Sequence, residues 1–200
     1  MKLRLWSIQE EYKLDEIKSN GKLICIKNKY SKEWDNEYLW MKNKMEQRIG
    51  NSEFKNQYPI WAWYQHQDAN RRKPDLRRTG HLPAGTNGVR IEFEKNKNEV
   101  LISDFVLWHF PLCYKSIIAK NEKEAKKFEF KLKKLKLDDK AFEDMPKEIQ
   151  NEIESSWNKI FDMELDEKYF TQGRDEKMIQ ACCWEIKNEE IIKIDKFIAR

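Results

Sequence analysis

The sequence predicts an α+β fold in which a mostly antiparallel, split sheet is flanked by helices. Segments with strand patterns cluster near the start, the middle and the end of the chain instead of alternating strictly with helices. Aromatic residues make up 12% of the chain and include eight tryptophans, which excludes disorder as a description of the whole chain. At 200 residues, the chain is expected to form one domain spanning 1–200.

The N-terminal quarter reads as strand, helix, strand and helix. Apolar and polar residues alternate over 3–8, which predicts a strand, and a short helix is expected over 9–19, before Gly21. Residues 22–26 (KLICI) predict a second strand. Over 32–49, apolar side chains recur at spacings of three and four, which predicts a helix with one strongly apolar face.

The middle of the chain predicts a strand, a long loop and a β-hairpin. Residues 58–65 (YPIWAWYQ) are apolar on both faces, so this strand is expected at a central position in the sheet. The connection over 68–88 is rich in Arg, Pro, Gly and Asn, and its length is typical of a functional or mobile loop. Alternation over 89–94 and again over 100–105 predicts a hairpin in which Arg90 points outward.

The C-terminal half predicts two longer helices and two closing strands. A basic helix is expected over 116–137 and a second helix over 147–162, each from its apolar stripe. Residues 179–186 (IQACCWEI) and 191–198 (IIKIDKFI) read as strands. The last strand is rich in β-branched residues and is expected to pair deep within the domain.

The composition predicts a cytoplasmic protein without a membrane segment. Mean hydropathy is −0.93, and no apolar run approaches the ~20 residues of a membrane-spanning helix. The N-terminus becomes polar too early for the apolar core of a signal peptide. Four cysteines without a C-x-x-C pair and three separated histidines predict free thiols and no zinc site. Glycine-rich phosphate-binding motifs are absent from the sequence.

Basic residues concentrate between Gln65 and Arg90. The chain has a net charge of +4, and this segment has six basic and two acidic side chains. The basic ones are Arg71, Arg72, Lys73, Arg77, Arg78 and Arg90. Arginine forks suit phosphate and carboxylate groups, so the segment predicts an anion site. A second basic run over 126–136 is lysine-rich, has acidic neighbours and is interpreted as a solvated helix face.

The arginine-rich segment follows the aromatic strand, a juxtaposition that favours nucleotide binding. An aromatic ring offers a stacking surface, and guanidinium groups clamp phosphate. The candidate ligand-binding residues of this region are Trp63, Arg71, Arg72, Arg77 and Arg78. The alternative is a solvated loop beside a strand whose tryptophans belong to the core.

Two further features are candidates for catalysis. Asp104 precedes His109 by one helical turn at a strand end, a spacing that lets a carboxylate orient an imidazole as a general base. The alternative is that Asp104 caps the following helix and His109 hydrogen-bonds a carbonyl. Gln180 enters an apolar strand, where it either lines a cleft or lies at the strand edge in water.

Six segments carry a resemblance to a known family. They are LWSIQ (5–9), YLWMKNKM (38–45), YPIWAWY (58–64), LISDFVLWH (101–109), SWNKIFDM (156–163) and IQACCWEI (179–186). Together they resemble a family of bacterial proteins of about this length that is known only as a domain of unknown function. The resemblance spans nearly the whole chain and implies no activity.

A second resemblance is to the ADP-ribosyltransferase-like fold, carried by residues 3–26 and by the last two strands. It implies NAD bound in a cleft between two small sheets and transfer of ADP-ribose through an oxocarbenium-like state. In the first strand, Arg4, with Ser7 nearby, is the residue that the resemblance assigns to the cofactor. Gln180 stands where the family's catalytic glutamate is expected. The expected cleft is lined by Ser7, Trp63, Arg78 and Gln180.

Three functions follow from these features. The first is a nucleotide-binding protein of the ADP-ribosyltransferase-like kind, either a divergent enzyme or a binder. The second is a nucleic-acid-binding module with RNA as its partner, which the basic segments favour. The third is a regulatory or interaction protein without a ligand, in which all aromatic residues belong to the core.

Overall fold

The computed structural model describes residues 1–26, 35–166, 168 and 170–200. Packing divides the chain into two compact units, one formed by 1–102 with 179–200 and the other by 103–178. The expectation of a single domain over 1–200 stays a prediction. None of the described helices is long and apolar enough to cross a bilayer.

The described residues contain nine strands in two sheets. They are β1 (Lys2–Glu10), β2 (Lys22–Ile26), β3 (Gln57–Tyr58), β4 (Ile60–Gln65), β5 (Asn87–Asn96), β6 (Leu101–Asp104), β7 (Ile179–Cys183), β8 (Glu185–Lys187) and β9 (Ile191–Ile198). The larger sheet has the order β6–β7–β4–β1–β5–β9, and the smaller one has the order β3–β2–β8. Because the paired strands run antiparallel, the predicted α+β fold with a mostly antiparallel, split sheet is confirmed. The central position predicted for β4 is also confirmed.

Five α-helices accompany the sheets in the described residues. They are α1 (Lys13–Asn20), α2 (Asp35–Ile49), α3 (Phe105–His109), α4 (Glu122–Leu135) and α5 (Lys147–Ser156). The helix expected over 9–19 begins later because β1 extends to Glu10, which is paired with Gly88 of β5. Residues 32–34 of the predicted second helix lie outside the described residues.

The core of the first unit lies on one face of the larger sheet. Leu5, Ile91 and Phe93 have no exposed surface there and share one apolar cluster with Leu14 and Ile17 of α1. Alternation along the strands produces this face, since successive side chains of a strand point to opposite sides.

The hairpin expected over 89–105 is wrong. A 3₁₀ turn over Lys97–Glu99 separates the two strands, but β5 pairs with β1 and β9, while β6 lies beside β7 at the far edge of the sheet. Both edges of β5 are therefore occupied by other strands. The alternation identified the strands and their faces, but it carries no information about pairing partners.

The strand expected over 179–186 is two strands. β7 belongs to the larger sheet and β8 to the smaller one, with Trp184 between them. The Trp184 indole donates to the Gly50 carbonyl at 2.8 Å, and its own carbonyl accepts from the Gln57 amide at 2.6 Å. These contacts hold the chain where it passes from one sheet to the other.

The deep position expected for the last strand is wrong. β9 is the edge strand of the larger sheet, and Ile192, Ile194 and Ile198 are 49%, 39% and 67% exposed. The β-branched composition correctly predicted a strand, but strand propensity does not distinguish an edge from a centre.

The second unit contains α3, α4 and α5. The predicted helix 116–137 begins only at Glu122, because Asn121 caps it by accepting from the Glu124 amide at 2.9 Å. The predicted helix 147–162 ends as α-helix at Ser156 and continues as a 3₁₀ turn over Trp157–Phe161. None of the four cysteines forms a disulfide; Cys182 and Cys183 are buried, whereas Cys113 is exposed.

Candidate functional site

The arginine-rich loop covers the face of the larger sheet opposite the core. Trp6 of β1 lies directly across from Trp63 of β4, so both indoles are on this side, here called the tryptophan face. The next register pairs on the same face are Trp63 with Gln180, and Arg90 with Asp195. The face therefore combines tryptophans with charged side chains.

Arg72 anchors the loop to this face through its guanidinium group. Its central carbon lies 4.2 Å from the centroid of the Tyr64 ring and 5.7 Å from that of Trp6. Its Nε donates to the Tyr64 carbonyl at 3.0 Å and its Nη2 to the Arg4 carbonyl at 3.3 Å. Within the described part of the chain no carboxylate pairs with Arg72, so its positive charge is offset only by carbonyl dipoles and ring faces.

The loop lines an open cavity of about 500 Å³, here called the arginine cavity. Its charged lining residues are Arg71, Arg72, Lys73, Asp75, Arg77, Arg78 and Arg90. Six positive side chains and one negative side chain thus line a single concave surface. A surface of this kind attracts anions, since like charges held together favour a ligand of opposite sign.

The cations of the arginine cavity differ in how far acidic side chains neutralise them. Asp68 accepts from Arg71, and Asp75 accepts from Arg77 at 2.7 Å; these contacts lower the pKa of both carboxyl groups. Both ion pairs lie near the surface, where such pairs contribute little to stability. Arg78 is exposed and makes no side-chain hydrogen bond or ion pair with the described residues.

Arg90 is the most buried cation of the cavity, with a side chain only 10% exposed. Its Nη2 donates to Asp195 at 2.5 Å and its Nη1 to the Pro74 carbonyl. Its Nε is buried and has no hydrogen-bond partner. Lys193 and Arg90 lower the pKa of Asp195 to about 2, which keeps this carboxylate charged at neutral pH. Arg90 lies on the predicted outer face of its strand. Its predicted exposure is wrong, because the loop covers that face.

Two histidines close one side of the loop. The His66 ring lies 4.8 Å from Trp63 and 5.6 Å from His81 between ring centroids. His81 Nε2 is 2.9 Å from the Asp75 carbonyl oxygen. Burial, followed by the charges of His81 and Arg78, lowers the pKa of His66 to about 4. At neutral pH His66 is therefore an uncharged ring packed against Trp63.

The low pKa of His66 makes stability depend on acid. The unfolded chain protonates this imidazole more readily than the folded chain does. The contribution of neutral His66 to the free energy of unfolding is therefore complete above pH 6.5 and is lost as the pH falls toward about 4. The groups facing it are His81, Arg78 and Asp75. We expect His66→Phe, which keeps a ring against Trp63, to remove up to about 3 kcal/mol of this acid sensitivity, the upper limit set by the pKa shift. Urea unfolding across that pH range measures it, and parallel curves for the two proteins contradict the prediction.

Trp63 and Gln180 are neighbours on the tryptophan face, and Ser7 is not with them. Gln180 Oε1 is buried without a hydrogen-bond partner. Ser7 follows Trp6 and points to the opposite face, where it is fully buried and donates to the Trp61 carbonyl at 2.8 Å. The structure therefore does not bring Ser7 into one cleft with Trp63, Arg78 and Gln180.

Asp104 and His109 lie in the second unit and have contacts of a structural kind. Asp104 Oδ1 accepts from the Val106 and Leu107 amides at 2.9 and 3.1 Å, which caps α3. Its Oδ2 accepts from Lys177 Nζ at 2.8 Å. His109 Nδ1 is 2.9 Å from the Phe105 carbonyl oxygen. These contacts match the capping interpretation of the sequence, and a catalytic role for the two side chains stays a prediction.

Sequence reasoning identified the basic segment but missed the rings that receive it. Arg72 contacts Tyr64 of the predicted aromatic strand and Trp6 of β1, whereas the candidate chosen from the sequence was Trp63. The only available signal was the aromatic character of β1 and β4, and it does not reveal that these strands are neighbours. No group of three or more metal-ligating side chains occurs in the ranges 1–26, 35–166, 168 and 170–200.

Comparisons with known proteins identify a family but no activity. A family model described as a domain of unknown function, DUF3841, matches residues 4–192. Neither the curated proteins nor the solved structures contain a match. The resemblance to the ADP-ribosyltransferase-like fold stays a hypothesis.

Proposed function

This chain belongs to the DUF3841 family, a domain of unknown function, so we propose its function from the site alone. It binds a small polyanion, such as the phosphate groups of a nucleotide, in the arginine cavity. The observation that carries the proposal is the lining of this cavity, which has six cations and one carboxylate around about 500 Å³. Multiple phosphates match this arrangement better than a single carboxylate does, since they supply several charges and acceptors.

The fixed orientation of the arginines supports a specific ligand over a diffuse counter-ion layer. Arg72 is held by two carbonyls and two rings, and Arg90 by Asp195 and a carbonyl. Side chains that are ordered before binding lose less entropy when a ligand arrives. Arg78 is exposed and unpaired within the described residues, so its donors are available to the ligand.

Trp63 and Gln180 are the residues that favour a nucleotide over bare phosphate. They are adjacent on the tryptophan face, and Gln180 Oε1 is a buried acceptor without a hydrogen-bond partner. We infer that a ring amino group supplies the missing donor. A glutamine does not ionise as the glutamate of an ADP-ribosyltransferase does. The proposal therefore extends to binding of NAD or ADP-ribose and includes no transfer step.

Nucleic acid is the weaker alternative because acidic side chains neutralise part of the second basic segment. On α4, Lys126 pairs with Glu122 at 2.7 Å, and Lys131 pairs with Glu152. The arginine cavity is concave and is formed by one loop and Arg90 of β5, whereas non-specific nucleic-acid binding uses an extended basic track.

Titration calorimetry at low salt tests the proposal with inorganic pyrophosphate, ADP-ribose, NAD and single-stranded RNA. We expect pyrophosphate and ADP-ribose to bind, and Arg78→Gln to weaken both about 10-fold, since it removes one charged hydrogen bond of about 1.5 kcal/mol. Lys134→Gln on α4 makes the same change of charge at an exposed site and is expected to have no effect. Absence of binding for all four probes, or equal effects of the two variants, overturns the proposal.

A further inference from the structure

The outer edge of β9 lacks a partner strand in the described part of the chain. An edge strand presents unpaired backbone donors and acceptors, and an eight-residue edge is a long template for pairing. Ile194 lies opposite the fully buried Ile91 of β5, yet it is 39% exposed because the sheet ends there. The apolar layer of the core thus reaches this edge without a cover.

The sequence of β9 restricts how it pairs with another copy of itself. A two-fold axis between two antiparallel strands maps each strand onto the other, so one residue must lie opposite its own copy. Side chains that lie opposite each other share a face of the sheet. Centring the pair on Lys193 or Asp195 places like charges opposite each other, which is destabilising. Centring it on Ile194 places Lys193 opposite Asp195 of the second copy, and the reverse pair is formed by symmetry.

The lysines of β9 do not argue against this register. Lysine on an edge strand normally prevents pairing. Here Lys193 already lies 2.8 Å from Asp195 on the same strand face, so the two side chains form a self-complementary charge pattern. In the Ile194-centred register, Lys196 lies opposite Ile192 and meets no like charge. Arg90 and Lys73 also contact Asp195, at 2.5 and 3.6 Å, and help to fix its position.

We propose that β9 binds a second copy of this chain, in antiparallel register with Ile194 opposite Ile194. The contact joins two six-stranded sheets into one of twelve strands and covers the apolar edge of both cores. Because the two-fold axis is perpendicular to the sheet, both arginine cavities lie on the same side of the dimer. The proposal does not depend on the anion-binding function.

Disulfide cross-linking reads out the register directly. Opposite Cα atoms in an antiparallel pair are about 4.5–5.5 Å apart, which is within the reach of a disulfide. We expect Ile194→Cys, in a background where exposed Cys113 is replaced by Ser, to give a covalent dimer under mild oxidation. Ile198→Cys is the matched control, since in this register the two copies of position 198 are roughly 26 Å apart. Equal cross-linking of both variants overturns the proposal.

Light scattering on the intact chain tests the dimer without cysteine chemistry. The wild-type protein is expected to have twice the monomer mass of 24.4 kDa. Ile194→Lys places two like charges at the two-fold axis and is expected to raise the dimer dissociation constant at least 10-fold. Ile198→Lys makes the same change at a more exposed position and is expected to leave the dimer intact. A monomeric wild-type protein overturns the proposal, and any partner of the β9 edge would then be a different chain.

Discussion

Lys177→Met is expected to lower the free energy of unfolding by about 3–5 kcal/mol, the usual cost of leaving a buried charge without its partner. Lys177 and Asp104 have no exposed side-chain surface, and they are 2.8 Å apart. Lys177 also donates to the Leu165 carbonyl at 2.7 Å and to Thr171 at 3.0 Å. Methionine has a similar volume but no charge, so the carboxylate of Asp104 stays buried without its cation. Urea denaturation measures the loss.

A second substitution separates the lost charge pair from a simple packing defect. Asp104→Asn keeps an acceptor for the amides that cap α3 and removes the negative charge. The double variant is therefore expected to be destabilised by less than the sum of the two single variants. Lys134→Met on the exposed face of α4 is the control and is expected to change stability by less than about 0.5 kcal/mol. Additive losses, or a loss below 1 kcal/mol for Lys177→Met, contradict a strong buried pair.

The double variant Arg72→Gln, Arg78→Gln is expected to weaken pyrophosphate and ADP-ribose binding at least 100-fold, equivalent to about 2.8 kcal/mol. It removes the Arg72 guanidinium that stacks over Tyr64 and the exposed Arg78 guanidinium, which has no acidic partner among the described residues. Each supplies charged hydrogen bonds worth about 1.5–3 kcal/mol. Calorimetry at two salt concentrations measures the change and the electrostatic share of it.

The matched control for this prediction is Lys127→Gln, Lys134→Gln, which lowers the net charge by the same amount on exposed α4. Arg72→Lys provides a second comparison, because it keeps the charge but loses the planar fork and its stacking. We expect Arg72→Lys to fall between the wild-type protein and the double variant. Melting curves verify that each variant is folded. If both double variants weaken binding equally, the effect reflects net charge and the arginine cavity is not the site.

For the candidate site, local composition predicted the presence of charge but not its geometry. The arginines between 71 and 90 are visible in the sequence because they are close in the chain. The stacking of Arg72 on Tyr64 and Trp6 depends on β1 and β4 being neighbours. The burial of Arg90 depends on the loop folding back over the sheet. Both follow from long-range pairing, which no local pattern encodes.

The buried pair of Lys177 and Asp104 is a further case. Asp104 was recognisable as a helix cap, since a strand-to-helix junction is a local feature. Lys177 has no such signal, because a lysine in a polar segment is normally solvated. Its burial is decided by the packing of the second unit, which places the segment after Gly173 against the start of α3.

From the amino-acid sequence one obtains the alternation that makes strands and sets their faces, the spacing that makes helices, and the residues that end them. These are properties of neighbouring residues, and β2 and β9 have the predicted bounds for that reason. Folding in three dimensions decided which strands are neighbours, which strand lies at the edge, and which charged side chains lose their water. Those outcomes depend on competition among distant segments for the same backbone edges and the same apolar surface, and that competition is settled only when the whole chain packs.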